Sequence, residues 1–216
     1  MSEKEDQKTP GCKVVLLGDS GVGKTCIIAR YISGNFNENT TSTNGASYAS
    51  KIVTYNKLGK SLSLDIWDTA GQEKYKSLTK FFYKDAAIAI LVYDITNKSS
   101  FENLKDYWYK EIQNNSGVNM VMGIAGNKCD LYEQECVSEE EAREFAKEIG
   151  ALFGLTSAKS NTGVEKLFLD LGHKYLDPSF QQKLEEEKEE KEENQGQKIT
   201  LETKEVKKEK KKKGFC

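Results

Sequence analysis

The chain has 216 residues, of which 37% are hydrophobic and 31% charged, so we expect roughly one domain and a polar remainder. Its 32 Lys and Arg residues nearly balance 34 Asp and Glu residues, and the net charge of −2 argues against a nucleic-acid-binding protein. Five cysteines without a CxxC pair, and no secretory signal at the start, argue against disulfides or a zinc site and favour a cytoplasmic protein.

The uneven distribution of charge predicts three segments. Residues 1–11 are polar and predict a disordered N-terminal segment, whereas residues 12–178 alternate apolar runs with turn signals and predict the folded domain. Residues 179–216 predict a charged tail that is too polar to pack. Seven Glu and two Lys occupy positions 185–193, and six Lys and one Glu occupy positions 207–213.

Apolar periodicity predicts strands that alternate with helices along the folded domain. The predicted strands are residues 13–17, 62–67, 88–93, 121–125 and 151–155. The predicted helices carry their apolar residues on one face, namely Ile27, Ile28 and Tyr31, then Phe101, Leu104, Trp108 and Ile112, then Ala142, Phe145 and Ala146, then Val164, Leu167, Phe168 and Leu171. Ser138 and Glu141 form a capping box before the third helix. This alternation predicts an α/β fold with a mostly parallel sheet and helices on both faces.

A glycine-rich loop lies between the first predicted strand and the first helix. It reads Gly18-Asp19-Ser20-Gly21-Val22-Gly23-Lys24-Thr25. The glycines permit a backbone whose amide N–H groups converge on phosphate oxygens, and Lys24 adds a positive charge. The Thr25 hydroxyl would be a ligand for Mg²⁺. An ordinary glycine turn is the alternative, but the position between a strand and a helix favours a phosphate-binding loop.

A second polar motif, Asn127-Lys128-Cys129-Asp130, follows the strand predicted to end near Ala125. The Asp130 carboxylate could accept hydrogen bonds from the N1–H and 2-amino groups of guanine, and adenine would leave it unpaired at a cost of about 1–3 kcal/mol. The stem of Lys128 could cover one face of the base. The same four residues could form a polar turn, but a phosphate loop upstream favours guanine binding.

A third motif, Asp68-Thr69-Ala70-Gly71-Gln72, ends the strand predicted over 62–67. An acid at this place could lie near a metal ion, a glycine N–H could face the γ-phosphate, and the amide of Gln72 could orient a water molecule. A single Asp after a strand is more often a cap or a turn residue.

Four segments together resemble a Ras-like small GTPase: residues 18–25, Trp67–Gln72, Asn127–Asp130 and Thr156-Ser157-Ala158-Lys159. Three further segments are similar to the Rab family within it: Leu91–Thr96, Lys74–Thr79 and Phe82–Ala86. The resemblance covers about residues 12–177 and implies a P-loop NTPase small G domain with a six-stranded sheet. The alanine at position 46 is similar to what the early-endocytic branch of the family has at this place.

The resemblance implies roles for individual residues. The implied GTP contacts are Ser20, Gly21, Val22, Gly23, Lys24, Thr25, Cys26, Phe36, Thr43, Gly71, Asn127, Lys128, Asp130, Ser157, Ala158 and Lys159. The implied Mg²⁺ ligands are Thr25, Thr43 and Asp68, and Gln72 is the residue that orients the attacking water. Asn44 departs from the family pattern, which usually has an aliphatic residue there, and Leu155 stands where an acid is frequent.

The implied function is a switch in which GTP and Mg²⁺ order switch I (about 36–48) and switch II (about 70–80), and slow hydrolysis releases them. The partners would be an exchange factor, a GTPase-activating protein, effectors, and prenylation and extraction chaperones, with the protein itself a monomer. Two alternatives are a module that holds GTP or GDP without useful hydrolysis, and an ATP-dependent P-loop kinase or transferase.

The basic end of the tail, Lys207–Lys213, predicts contact with a membrane surface. Each of its six lysines could gain about 1 kcal/mol of binding free energy at an anionic leaflet. Cys216 offers neither the paired cysteines of Rab proteins nor a farnesyl box, so one lipid on Cys216 is a hypothesis. A solvated continuation of the last helix is the alternative for residues 180–193. The expected location is the cytosolic face of an endomembrane, such as the early endosome. We expect no catalytic role for His173, the only histidine.

Overall fold

The computed structural model of the chain describes residues 9–38, 46–69, 82–115 and 120–184. The strands of these residues are β1 Gly11–Leu17, β2 Ala46–Tyr55, β3 Lys60–Thr69, β4 Ile88–Asp94, β5 Val121–Asn127 and β6 Leu152–Thr156. Their longer helices are α1 Lys24–Ser33, α2 over residues 98–115, α3 Glu139–Glu148 and α4 Val164–Leu176. Helix α2 is built from an α-helical segment Lys98–Asn103, a π-helical segment Leu104–Tyr109 and an α-helical segment Lys110–Asn115. Short 3₁₀ turns occur at Asn56–Leu58 and Cys129–Gln134.

Within the described ranges the strands form one sheet of six, in the order β2-β3-β1-β4-β5-β6. Strand β2 is antiparallel to β3, and every other neighbouring pair is parallel. In the centre, Val14 of β1 is in register with Ile66 of β3 and with Ile88 of β4. The prediction of a mostly parallel, six-stranded α/β sheet is therefore confirmed.

Helices cover both faces of this sheet because its central strands are apolar on both sides. On one face, Val15 and Leu17 belong to a buried cluster that includes Trp108 of α2 and Ala142 of α3. On the other face, the ring of Tyr31 on α1 stacks on Phe168 of α4 with the ring centroids 3.9 Å apart. The carboxyl ends of β1, β3, β4 and β5 thereby meet at one edge, where ligands bind in parallel α/β sheets.

Strand β2 was not predicted, because its sequence lacks a clear apolar alternation. It is an edge strand with exposed apolar side chains, Tyr48 at 57% and Ile52 at 64% exposure. Part of its pairing with β3 is polar, since the hydroxyl groups of Ser50 and Ser63 lie 3.0 Å apart. Because apolar side chains lie on its exposed side, the strand lacks the alternation of apolar and polar residues by which a half-buried strand is recognised.

The other predicted elements are present with shifted ends. The strand predicted over 62–67 extends from Lys60 to Thr69, and the one predicted over 151–155 begins at Leu152. At the start of α3, the Glu141 amide donates to the Ser138 hydroxyl at 3.2 Å, which is the N-cap bond of the predicted capping box. The π-helical segment of α2 was not anticipated.

The chain divides into two units, Met1–Leu176 and Asp177–Cys216. In the second unit, the Asp177 carboxylate accepts a hydrogen bond from Lys183 at 2.8 Å and one from the Ser179 hydroxyl at 2.6 Å. These hydrogen bonds lower the pKa of Asp177 to about 2, and the bond from Lys183 makes the largest contribution. The finer boundaries predicted at 11/12 and 178/179 remain predictions.

Among the described helices, none combines the length and apolarity that crossing a bilayer demands.

Candidate nucleotide-binding site

The loop between β1 and α1 has the backbone of a phosphate-binding loop. Gly21 and Gly23 have positive φ angles of 79° and 98°, in the left-handed region that glycine enters at little cost. Gly23 is the N-cap of α1, and no described side chain caps this end of the helix. The amides of the first turn can therefore serve an anion, which the positive end of the helix dipole also favours.

Lys24 is the buried cation of this loop, with only 5% of its surface exposed. Its Nζ donates to the carbonyl oxygens of Gly18 at 2.7 Å and Asp19 at 2.8 Å. Burial lowers the pKa of Lys24 to about 8, although the nearby Asp68 and Asp19 carboxylates oppose this shift. A phosphate group would supply the counter-charge that favours the protonated lysine here.

Asn127 connects the second motif to the phosphate loop. Its side-chain amide donates to the Val22 carbonyl at 2.7 Å, and its side-chain oxygen accepts a hydrogen bond from Thr156 at 3.2 Å. The residue is 2% exposed, so these bonds form inside the protein. Asn127 thus joins β5, β6 and the phosphate loop.

Asp130 and the segment after β6 form the opposite side of the site. The Ser157 hydroxyl donates to Asp130 Oδ1 at 2.5 Å and accepts a hydrogen bond from the Ser160 amide at 3.0 Å. Arg30 of α1 donates to the carbonyl oxygens of Ala158 at 2.6 Å and Lys159 at 3.1 Å. The Asp130 carboxylate is therefore oriented by Ser157, whose own segment is held by α1.

Lys128 has a left-handed backbone, with φ at 65°. Its Nζ lies 2.6 Å from Asp94 Oδ2, and Asp94 Oδ1 accepts hydrogen bonds from the Thr96 amide at 2.9 Å and the Thr96 hydroxyl at 2.7 Å. Because Asp94 holds the ammonium group, the aliphatic stem of Lys128 is fixed beside the cavity.

These groups surround a cavity of about 290 Å³. Its lining residues are Gly21, Gly23, Cys26, Phe36, Asn37, Glu38, Asn127, Lys128, Asp130, Leu131, Ala158 and Lys159. Nine of these twelve are among the residues that the sequence analysis assigned to nucleotide contacts. At the rim, Lys159 Nζ lies 2.6 Å from Glu38 Oε1, which raises the pKa of the Lys159 ammonium.

Two of the predicted Mg²⁺ ligands lie together. The Thr25 hydroxyl donates to Asp68 Oδ2 at 2.7 Å, and Asp68 is 1% exposed. A hydroxyl and a carboxylate are oxygen ligands of the kind that Mg²⁺ prefers, so these residues fit the ion. Across the described part of the chain, no group of three or more His, Cys, Asp or Glu side chains could hold a metal. Mg²⁺ usually keeps several water ligands and binds phosphate oxygens beside one or two protein groups, so two protein ligands at this place are in keeping with its chemistry.

Several predicted residues lie outside the described ranges: Thr43, Asn44, Gly71, Gln72, Lys207–Lys213 and Cys216. The sequence analysis missed Asn37, Glu38 and Leu131 in the lining, and Arg30 and Asp94 behind it. Arg30 acts on backbone carbonyl groups, which are the same in every residue, so no side-chain pattern could reveal it. Asp94 ends a buried strand, and an acid at such a position is a usable signal.

Comparison with known proteins places the chain among relatives of similar length. A family model described as Ras family matches residues 13–177. Ras-related protein Rab-22A from Homo sapiens is 44% identical over 163 residues, covering 75% of this chain and 82% of that protein. Rab-31 from Rattus norvegicus is 46% identical over 169 residues, with 77% and 85% covered. Rab-21 from Geodia cydonium is 43% identical over 176 residues, with 82% and 76% covered.

GTP binding and hydrolysis are general in this family, and its members are regulated by exchange factors and activating proteins and act through effectors. The relatives therefore favour a GTP hydrolase over both a passive binding module and an ATP-dependent kinase. The six-stranded, mostly parallel sheet is consistent with the small G domain of this family. The chain belongs to the Ras family, within it to the Rab proteins, and is a small GTPase of vesicle trafficking.

Proposed function

We propose that GTP and Mg²⁺ order residues 36–48 and 70–80 of this chain, and that hydrolysis to GDP releases both segments. The observation that supports this proposal is one cavity with the glycines of the phosphate loop on one side and the Asp130 carboxylate on the other. A nucleotide presents phosphates and a base at its two ends, which matches this division.

At the phosphate end, residues Ser20 to Cys26 would contact the phosphate oxygens. Their amide groups lie at the start of α1, and Lys24 brings a buried positive charge. As the bond between the γ-phosphorus and the bridging oxygen breaks, negative charge moves onto that oxygen and the β-phosphate, and donors already placed around the phosphates would stabilise this transition state.

At the base end, Asp130 would accept the N1–H and 2-amino hydrogen bonds of guanine, and the backbone of Ala158 and Lys159 would donate to the guanine oxygen. The Lys128 stem and the Phe36 ring would lie against the base. Ser157 supports this assignment because its hydroxyl fixes one carboxylate oxygen of Asp130. Adenine offers no 2-amino group, so this side of the cavity favours guanine.

Thr25, Thr43 and Asp68 would hold Mg²⁺, directly or through water. When bound, Mg²⁺ neutralises negative charge on the phosphate oxygens. The Thr25 hydroxyl and the Asp68 carboxylate already lie within hydrogen-bond distance of each other, which supports a shared role.

In the hydrolysis step, a water oxygen attacks the γ-phosphorus in line, and the bond from that phosphorus to the oxygen bridging to the β-phosphate breaks. Gln72 would orient the water and the Gly71 amide would donate to the γ-phosphate. A partner protein would add an arginine to stabilise the developing charge.

Gln72→Leu should slow single-turnover hydrolysis of γ-labelled GTP by tenfold or more, about 1.4 kcal/mol of barrier, because leucine cannot orient water. The measurement compares the wild type and the variant, each with GTP and with ATP. Gln113→Leu, the same change at an exposed position of α2, should hydrolyse GTP at the wild-type rate. Equal rates for Gln72→Leu and the wild type would remove Gln72 from the mechanism, and cleavage of ATP would contradict the guanine assignment.

We place the protein on the cytosolic face of an endomembrane, bound there as a monomer and released by extraction chaperones. The similarity to Rab-22A and Rab-31, together with Ala46, supports the early-endocytic branch. Lys207–Lys213 would supply the electrostatic part of membrane attachment, and one lipid on Cys216 would supply the apolar part.

Full-length protein should sediment with vesicles that contain phosphatidylserine and stay in solution with purely phosphatidylcholine vesicles. Changing Lys207, Lys208 and Lys210 to Gln should weaken this binding by about 100-fold, at about 1 kcal/mol per lysine. The matched control changes Lys183, Lys188 and Lys191 to Gln and should bind as the wild type does. Equal loss in both triple variants would show only a net-charge effect, and native protein with an unmodified Cys216 would refute the lipid.

A further inference from the structure

The carboxylate of Asp19, the second residue of the phosphate loop, is bound by helix α2. Trp108 Nε1 donates to Asp19 Oδ1 at 2.8 Å, and Asn103 Nδ2 donates to Asp19 Oδ2 at 2.7 Å. Each carboxylate oxygen thus has a donor of its own. The two donors come from one helix, 84 and 89 positions further along the chain.

The backbone of the same residue is bound to the phosphate-loop lysine. The Asp19 carbonyl accepts from Lys24 Nζ at 2.8 Å, beside the Gly18 carbonyl at 2.7 Å. Asp19 therefore has helix α2 on its side chain and Lys24 on its main chain. A displacement of Asp19 would disturb one of the oxygens that hold the Lys24 ammonium.

The π-helical segment explains how both donors reach one carboxylate. Asn103 and Trp108 are five residues apart, and in a regular α-helix residues five apart point about 140° away from each other. In a π-helix the hydrogen bonds join residues five apart, which brings such residues to nearly the same side. Segment Leu104–Tyr109 is π-helical, and it begins directly after Asn103.

A π-helical turn is rare, and such turns occur frequently at functional sites. Trp108 is 1% exposed and packs in the core with its N–H directed at Asp19, so its position is fixed. Asn103, by contrast, is exposed on the helix, and its side chain donates to Asp19 from the surface.

We propose that Asn103 and Trp108 are positioning residues that hold the phosphate loop through Asp19, and that this contact slows nucleotide release. The proposal rests on the assignment of residues 18–25 as the phosphate-binding loop. Neither residue needs to touch the nucleotide. Helix α2 thereby sets how firmly the loop keeps its shape around the phosphates.

The test measures the dissociation rate of a fluorescent GDP analogue from full-length protein in the presence of Mg²⁺ and excess unlabelled GDP. Asn103→Ala should speed release by about threefold to tenfold, since it removes one hydrogen bond to a charged group. Glu102→Ala, the same truncation at the adjacent exposed position, should release GDP at the wild-type rate. Trp108→Phe keeps an aromatic ring in the core, removes the N–H donor, and should also speed release.

A role through Asp19 is separated from a purely structural one by repeating both changes in an Asp19→Ala background. There, Asn103→Ala and Trp108→Phe should each change the release rate by less than about twofold, because the shared acceptor is gone. Wild-type release rates in both single variants, or full additive effects in the Asp19→Ala background, would overturn the proposal. A wild-type protein that does not retain GDP would overturn the phosphate-loop assignment together with it.

Discussion

Asp130→Asn should lower the affinity for GDP by about 100-fold or more, about 2.7 kcal/mol, and should make xanthosine diphosphate the better ligand. An asparagine keeps one oxygen that can accept from the Ser157 hydroxyl, which now lies 2.5 Å from Asp130 Oδ1. Its amide N–H₂ group, however, would face the 2-amino group of guanine, donor against donor. Xanthine has a carbonyl oxygen at that position and would accept this hydrogen bond.

The measurement is competition of unlabelled GDP, XDP and ADP against a fluorescent guanine nucleotide, for the wild type and the variant. Ser157→Ala is the companion variant: it removes the donor that orients Asp130 but leaves the carboxylate, so guanine should remain preferred at lower affinity. An Asp130→Asn protein that binds GDP as tightly as the wild type would show that Asp130 does not read the base.

The sequence predicted those parts of the site that depend on one residue type at a fixed place. Glycine is needed where φ is positive, so Gly21 and Gly23 could be recognised beside a strand end, and both line the cavity. The proposed roles of the Asp130 carboxylate and the Lys128 stem rest on the hydrogen bonds that guanine offers and on their place after β5, whose carboxyl end lies at the same edge of the sheet as that of β1.

The contacts that support these residues could not be predicted in the same way. Arg30 binds backbone oxygens of Ala158 and Lys159, and any sequence provides such oxygens. Glu38 pairs with Lys159 at the rim, but a chain with 34 acids and 32 bases offers too many possible pairs. These contacts depend on the tertiary structure rather than on local spacing.

Helix α2 shows the same limit at the level of the fold. The spacing of Phe101, Leu104 and Trp108 fits a regular helix, and all three are buried as predicted. The π-helical segment between them has no pattern of its own, because it serves a contact with Asp19 that is distant in sequence. Strand β2 escaped prediction for a related reason, since it pairs with β3 along its whole length and carries exposed apolar side chains.

Gly163→Ala should destabilise the protein by about 3–5 kcal/mol, combining a left-handed backbone with a steric clash. Gly163 has φ at 68°, and a Cβ atom there would lie 2.0 Å from the Leu155 carbonyl oxygen of β6. Relief requires a shift of β6 against the start of α4, next to the Ser157 to Lys159 segment. The loss should appear as a lower free energy of unfolding in urea, measured at a fixed GDP concentration.

Gly150 provides the matched control for this change. Its φ of 66° is almost the same, but a Cβ atom there would have no neighbour within 4 Å. Gly150→Ala should therefore cost only the backbone term, about 1–2 kcal/mol. The difference between the two variants measures the clash with β6 alone, since both replace glycine by alanine at the same backbone angle. Equal losses would show that the backbone angle accounts for the whole effect and that β6 yields to the added methyl group.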